Sequence, residues 1–168
     1  MNPLTWQNPE QLFVAQVLKK IFYNSVAELR FAKSDYERLL KLAPRSYNGR
    51  LGLATLEQKE GKYEAALSIL NAMIAEKGGE SIRLTTQQYA VLYVARAGVE
   101  QDMKHVDLAM MDLEEAIKLD PSQTEAYLIR GQIYLSQKKK ELAKRDFEKA
   151  ISLGVPQGDL RELLLQCK

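Results

Sequence analysis

Apolar residues recur along this chain at three- and four-residue intervals, in segments of about 12 to 15 residues broken by short polar turns, the pattern of amphipathic helices. In the last pair of segments the reading predicts helices over residues 125–137 and 141–153, with Lys138-Lys139-Lys140 in the break. So short a connection joins antiparallel neighbours. The pattern also repeats as a whole. Laying residues 90–121 over 124–155, a spacing of 34, matches Tyr93/Tyr127, Arg96/Arg130, Lys104/Lys138, Leu108/Leu142, Ala109/Ala143, Asp112/Asp146, Glu114/Glu148, Ala116/Ala150, Ile117/Ile151 and Leu119/Leu153. Such a period marks an array of helix pairs, each too small to bury its apolar face alone and stacked on its neighbours to do so.

Carried backwards, the register places small residues at Ala143, Ala109, Ala66 and Ala32, with nine extra residues at about 81–89 between the second and third units. The small residues have a steric task. Gly131 and Ala143 let the two backbones of the last unit approach, Ala150 admits the next helix, and Tyr127, Tyr134 and Phe147 fill the space between. In the second unit Gly61 supplies the left-handed conformation that ends a helix. Asn8-Pro9 opens a first helix, Ser25 with Glu28 and Thr85 with Gln88 form capping boxes, and Lys77-Gly78-Gly79 stops a helix. Beyond Pro156, a helix N-capped by Asp159 is expected to cover the last unit with Leu160, Leu163 and Leu164.

These residues resemble the tetratricopeptide repeat. Its 34-residue pattern has a large residue early in helix A, Gly or Ala four residues on, Ala early in helix B, an aromatic or Leu, Ala, then Pro. The fourth unit carries Tyr127, Gly131, Tyr134, Ala143, Phe147 and Ala150, and the third carries Tyr93, Ala97, Ala109, Leu113, Ala116 and Pro121. The second carries Ala54, Gly61, Tyr63, Ala66 and Leu70; the first is degenerate, with Ala32, Tyr36 and Pro44. The resemblance implies an all-α, right-handed α-solenoid of antiparallel helix pairs in one domain. Its repeats are expected at about 13–46, 47–80, 90–123 and 124–157, with an insertion at 81–89 and a capping helix at 159–167. It further implies that helices A line a concave groove. The groove residues carried over are Asn48, Leu51 and Thr55 in repeat two, Val91, Val94 and Gly98 in repeat three, and Glu125, Leu128 and Gln132 in repeat four. Gln58, Gln101 and Leu135 complete the rows. Leu51, Val94 and Leu128 form an apolar line. Co-chaperones of the family grip a C-terminal carboxylate with Lys, Asn and Arg on this face; of that set only Asn48 has a counterpart here.

Composition removes most chemistry. Lys plus Arg number 24 against 22 acidic residues, a net charge of +2 spread along the chain, which implies no nucleic-acid partner. No apolar stretch is long enough to span a membrane, and the opening residues Met-Asn-Pro-Leu-Thr-Trp do not show the basic n-region and apolar h-region expected of a signal peptide. A cytoplasmic location is expected, or a periplasmic one had an export segment been removed. One histidine and one cysteine leave little for metal or nucleophilic chemistry, and no phosphate loop, G-x-S-x-G, H-E-x-x-H or Cys-x-x-Cys occurs. His105 reads as a solvated turn residue far from any carboxylate, and Cys167 as an incidental thiol on a fraying end. Lys138-Lys139-Lys140 reads as a wet turn, with an acidic partner as the sharper alternative. Met103, Met110 and Met111 read mainly as core, and Trp6 as a staple on the first helix.

The expected function is therefore a non-enzymatic scaffold or adaptor, without cofactor, metal or catalytic residues, that binds a protein or peptide segment in its groove. The alternative is a self-association module, a homodimer formed through the groove or through Trp6, Leu12 and Phe13, or a repeat domain of a longer protein. The register itself is testable by urea denaturation. Gly131→Leu or Ala143→Leu should cost about 1 to 3 kcal/mol by overpacking, and Lys139→Ala about half a kcal/mol or less. Equal stability of all three proteins would refute the register.

Overall fold

Within the described residues, each periodic segment folds as a helix. The computed structural model describes residues 26–76 and 84–168, with side chains from residue 32 onward. The expectations for Trp6, Asn8-Pro9, Leu12, Phe13, the Ser25 box and Lys77-Gly78-Gly79 lie outside the described residues. Those described form eight α-helices and no strand: α1 (Val26–Leu42), α2 (Tyr47–Lys59), α3 (Tyr63–Ala75), α4 (Thr86–Asp102), α5 (Val106–Leu119), α6 (Thr124–Ser136), α7 (Lys140–Ser152) and α8 (Arg161–Gln166). A 3-10 turn, Gln157–Leu160, precedes α8. It replaces the expected Asp159 cap, so the last helix begins two residues later than the sequence suggests. The fourth-unit helices start one residue earlier than expected.

The chain divides into two compact units, Met1–Asn71 and Ala72–Lys168. In the first, α1 packs on α2 around Ala32, Tyr36 and Leu56, with Leu53 against them. Gly52 is required there, because a Cβ at this position would overlap the Tyr36 ring. That ring is buried and its hydroxyl has no hydrogen-bond partner; burial pushes its pKa up to about 12. In the second unit α4 pairs with α5 and α6 with α7, while α5 also packs on α6. Ala90, Val94, Ala97, Ala109, Leu113, Ala116, Ala126 and Ile133 form one core. Tyr127, Ala143, Phe147, Ala150, Leu160 and Cys167 form the next.

The steric reading of Gly131 holds. A Cβ there would stand 2.7 Å from Phe147 Cε1, inside van der Waals contact, so the ring occupies the space the glycine vacates. A second contact fixes the same helix pair. Arg130 Nε and Nη2 donate to Asp146 Oδ2 and Oδ1, each at 2.8 Å, and the guanidinium lies 5.7 Å from the Tyr127 centroid. Arg96 and Asp112 repeat this one period earlier, both bonds at 2.7 Å. Hydrogen bonding to its carboxylate raises the pKa of each arginine, against the opposing effect of burial. A planar, bidentate pair sets distance and rotation together. The corresponding positions of repeat two hold Leu53 and Ile69, an apolar pair at the same spacing of 16 residues.

The turns inside repeats share one geometry. Lys62, His105 and Lys139 donate their backbone N–H to the carbonyls of Glu57, Glu100 and Tyr134 at 2.8, 2.8 and 2.9 Å. Gly61, Lys104 and Lys138 donate to Gln58, Gln101 and Leu135, completing a Schellman motif in each. The residue between must be left-handed, and φ is 74° at Gly61, 66° at Lys104 and 61° at Lys138. Two lysines thus adopt a conformation that favours glycine. The C-terminus also departs from expectation. Cys167 is buried, packed with Phe147 and Leu160, its thiol donating to the Leu163 carbonyl at 3.2 Å and raised in pKa by burial. It closes the last core instead of fraying.

Because repeat two tolerates an apolar pair where repeat four has ions, the two solutions should be interchangeable as pairs but not singly. Arg130→Met should cost about 2 to 3 kcal/mol by stranding Asp146, and Arg130→Met with Asp146→Leu should recover most of it. Urea titrations of the three proteins check this; additive losses would show that the ion pair is irreplaceable.

Candidate functional site

Local signals position the helices A that carry the expected groove residues. Ser46 caps α2 by accepting from the Gly49 N–H at 3.2 Å, which sets Asn48 in the first turn. Thr85 and Gln88 cap α4 reciprocally, with bonds of 3.1 and 2.9 Å, as the spacing predicts. At α6, Asp120 Oδ1 accepts from the Ser122 N–H and the Tyr127 hydroxyl donates to the Pro121 carbonyl, which ties down the approach to Glu125. An exposed carboxylate in the first turn of a helix also complements its dipole.

The expected residues fall into three groups. Asn48, Glu125 and Gln132 are exposed. Leu51, Thr55, Val91, Gly98 and Leu128 are half-buried; the Thr55 hydroxyl donates to the Leu51 carbonyl at 2.9 Å, and Leu128 rests against the core formed by Tyr127 and Phe147. Val94 does not reach the surface. It is 3% exposed and packed in the core with Ala90, Ala97 and Ala126, although its counterpart one period later, Leu128, is half-buried. The apolar line therefore loses its middle member, and on α4 the face consists of Val91, Gly98 and Gln101. Asn48, Leu51 and Thr55 belong to the first unit; the α4 and α6 residues belong to the second, where these helices touch.

Charge on this face is confined to Glu125 among the nine residues. Other ionic contacts lie off these residues, the Arg96–Asp112 and Arg130–Asp146 pairs between paired helices and a second set near the turns. Glu57 accepts from Lys33 at 2.6 Å and lies 3.9 Å from Lys62. Its counterpart Glu100 lies 2.7 Å from His105 Nδ1, and at the next period Lys139 sits 5.9 Å over the Tyr134 ring. His105 is thus exposed yet tied to a carboxylate five residues back, a contact the turn creates and linear spacing conceals. Of the methionines, Met110 packs against the core while Met111 is exposed. A cleft of about 780 Å³ lies between α7 and α8, lined by Glu141, Lys144, Glu148, Arg161, Leu165 and Lys168. Among the described residues no cluster of His, Cys, Asp and Glu could hold a metal ion, and no helix is long and apolar enough to cross a membrane.

Two models of the tetratricopeptide repeat match the chain, one at residues 28–81 and the other at 90–123 and 124–153. The chain belongs to the tetratricopeptide repeat family. Its fold class is the all-α helical-repeat solenoid. Such repeats are in general non-enzymatic interaction modules, and neither model is of a catalytic family. A DnaJ homolog subfamily C member 7 homolog from Dictyostelium discoideum is 26% identical over 170 residues, covering 96% of this chain and 31% of that protein. The chain thus spans about a third of that relative's length. A tetratricopeptide repeat protein from Parabacteroides merdae superposes with a TM-score of 0.79 at 28% identity, over 95% of this chain and 57% of the other. The second tetratricopeptide domain of Spaghetti (RPAP3), solved bound to the HSP90 peptide SRMEEVD, superposes with a TM-score of 0.54 at 26% identity, over 73% of this chain and 97% of that one.

Proposed function

We propose that this tetratricopeptide chain is an adaptor whose helix A face binds an uncharged, largely apolar segment of another protein. The observation that carries the reading is the surface of α6: Leu128, half-buried on its own core, stands between exposed Gln132 and Glu125. An apolar side chain backed by a rigid core and bordered by an amide has the make-up of an interface anchor. In the same unit, Val91 with Gly98 on α4 offers a similar combination of apolar contact and open edge, and within the first unit Leu51 with Asn48 on α2 does so separately.

The charge of the face selects among partners. The peptide bound by the Spaghetti domain carries two glutamates and an aspartate. Here the nine positions hold no lysine or arginine, and Glu125 would repel such a tail. Preference for a neutral segment over an acidic tail follows from that balance.

Peptide arrays tiled with neutral apolar and acidic C-terminal segments test the reading. Neutral segments should be retained, and Leu128→Glu should weaken them about tenfold or more while leaving the circular dichroism spectrum unchanged. Retention of acidic tails alone, or indifference to Leu128→Glu, would move the site off this face. Sedimentation equilibrium distinguishes the alternative of self-association, which would appear as dimer formation sensitive to the same substitution.

A further inference from the structure

Glycine is the poorest helix former after proline, so a glycine inside a helix calls for a reason. Four stand inside the described α-helices: Gly49 and Gly52 on α2, Gly98 on α4 and Gly131 on α6. Three of them are explained by what occupies the place of the missing Cβ. At Gly49 a Cβ would stand 3.1 Å from Leu39 and Leu40, at Gly52 it would overlap the Tyr36 ring, and at Gly131 it would stand 2.7 Å from the Phe147 ring. In two of these three the occupant is an aromatic ring laid against helix backbone.

Gly98 differs, because the packing task at this point of the repeat falls on its neighbour. Ala97 is the residue one period before Gly131, and it is fully buried in the core with Ala109 and Leu113. Gly98 lies one position further round the helix and is half-buried, where the other repeats carry Thr55 and Gln132. Neither of those repeats needs a small residue at this place. Helical geometry puts Val94 and Ala95 one turn before Gly98 on the same face, Val91 two turns before, and Gln101 and Asp102 one turn after. Val94 belongs to the core, Val91, Ala95 and Gln101 are half-buried, and Asp102 is exposed. The glycine thus leaves backbone without a side chain of its own between apolar Val91 and the amide of Gln101.

We propose that Gly98 is a specificity-determining residue of the helix A face, seating an aromatic side chain of the bound segment against the α4 backbone as Gly131 seats Phe147 within the chain. The inference rests on the helix A reading given above and adds to it the side chain the partner must present. A flat ring gains most from a missing Cβ, since its whole face can approach the backbone, and it brings a large apolar area at little cost in conformational freedom. Val91 and Ala95 supply apolar contact at its edge. The Asp102 carboxylate disfavours an acidic residue beside the ring, in keeping with a neutral segment. The glycine then weakens its helix for the sake of binding, a trade common at functional surfaces.

A displayed library of neutral random segments, selected on the full chain, tests this. Segments whose binding is lost with Leu128→Glu should share an aromatic residue. Replacing that residue by alanine should weaken binding to the native chain about tenfold, and Gly98→Ala should weaken the aromatic segment about as much. The two changes together should do little more than either alone, the mark of a direct contact. Urea denaturation separates this role from a packing one: relieved of a helix-interior glycine, Gly98→Ala should unfold at a higher midpoint, whereas Gly131→Ala should unfold at a lower one. A lowered midpoint for Gly98→Ala overturns the proposal, because the glycine would then serve internal packing. So does Leu128-dependent binding that is indifferent to Gly98→Ala, or that falls equally with and without the ring. Absence of any segment that depends on Leu128 instead overturns the helix A reading, and this inference with it.

Discussion

The closeness of the two helices within a repeat is the constraint on which the rest of this molecule depends. At Gly131 the backbone of α6 comes so near Phe147 that a methyl group would not fit; Gly52 gives the same room to Tyr36 at the contact of α1 and α2, there between successive repeats. Close contact brings dispersion and burial to short helices that would be marginal alone. It also leaves little freedom in rotation, and the bidentate Arg96–Asp112 and Arg130–Asp146 pairs remove more of it. Once the inner side of each helix is assigned, the surfaces left for binding follow.

Much of this architecture is legible in the sequence because sterics dictate residue type at fixed intervals. The period, the small residues at helix crossings, the left-handed Gly61 and the Thr85 capping box are all local or strictly repeated signals. Other features depend on what lies across a turn or a core. His105 meets Glu100 only because the Schellman turn folds the chain back. Lys104 and Lys138 take a glycine conformation that their side chains do not announce. Val94 and Leu128 occupy one register position, yet one is sealed in the core and the other is half-open; register gives the direction of a side chain, and burial depends on what packs over it. The ion pairs were visible as identities at 96/130 and 112/146, and the shared separation of 16 residues was the signal that they belong together.

Function in such a scaffold is carried by faces rather than by a reacting centre. Of the nine helix A residues only Glu125 is charged, and Leu128 is supported from beneath by its own core. Only the inward positions are constrained by packing, so the outward ones vary, as Met111 and Arg145 do at one register position.

The division between inward and outward positions can be measured by native-state thiol labelling. With Cys167 retained as an internal buried standard, cysteine is introduced singly as Val94→Cys, Gln132→Cys and Leu142→Cys. The thiols at 132 and 142 should react near the rate of a free cysteine, whereas those at 94 and 167 should react about a hundredfold more slowly, through local opening. Comparable rates at 94 and 132 would contradict the account, since packing would then fail to separate the core from the exposed face.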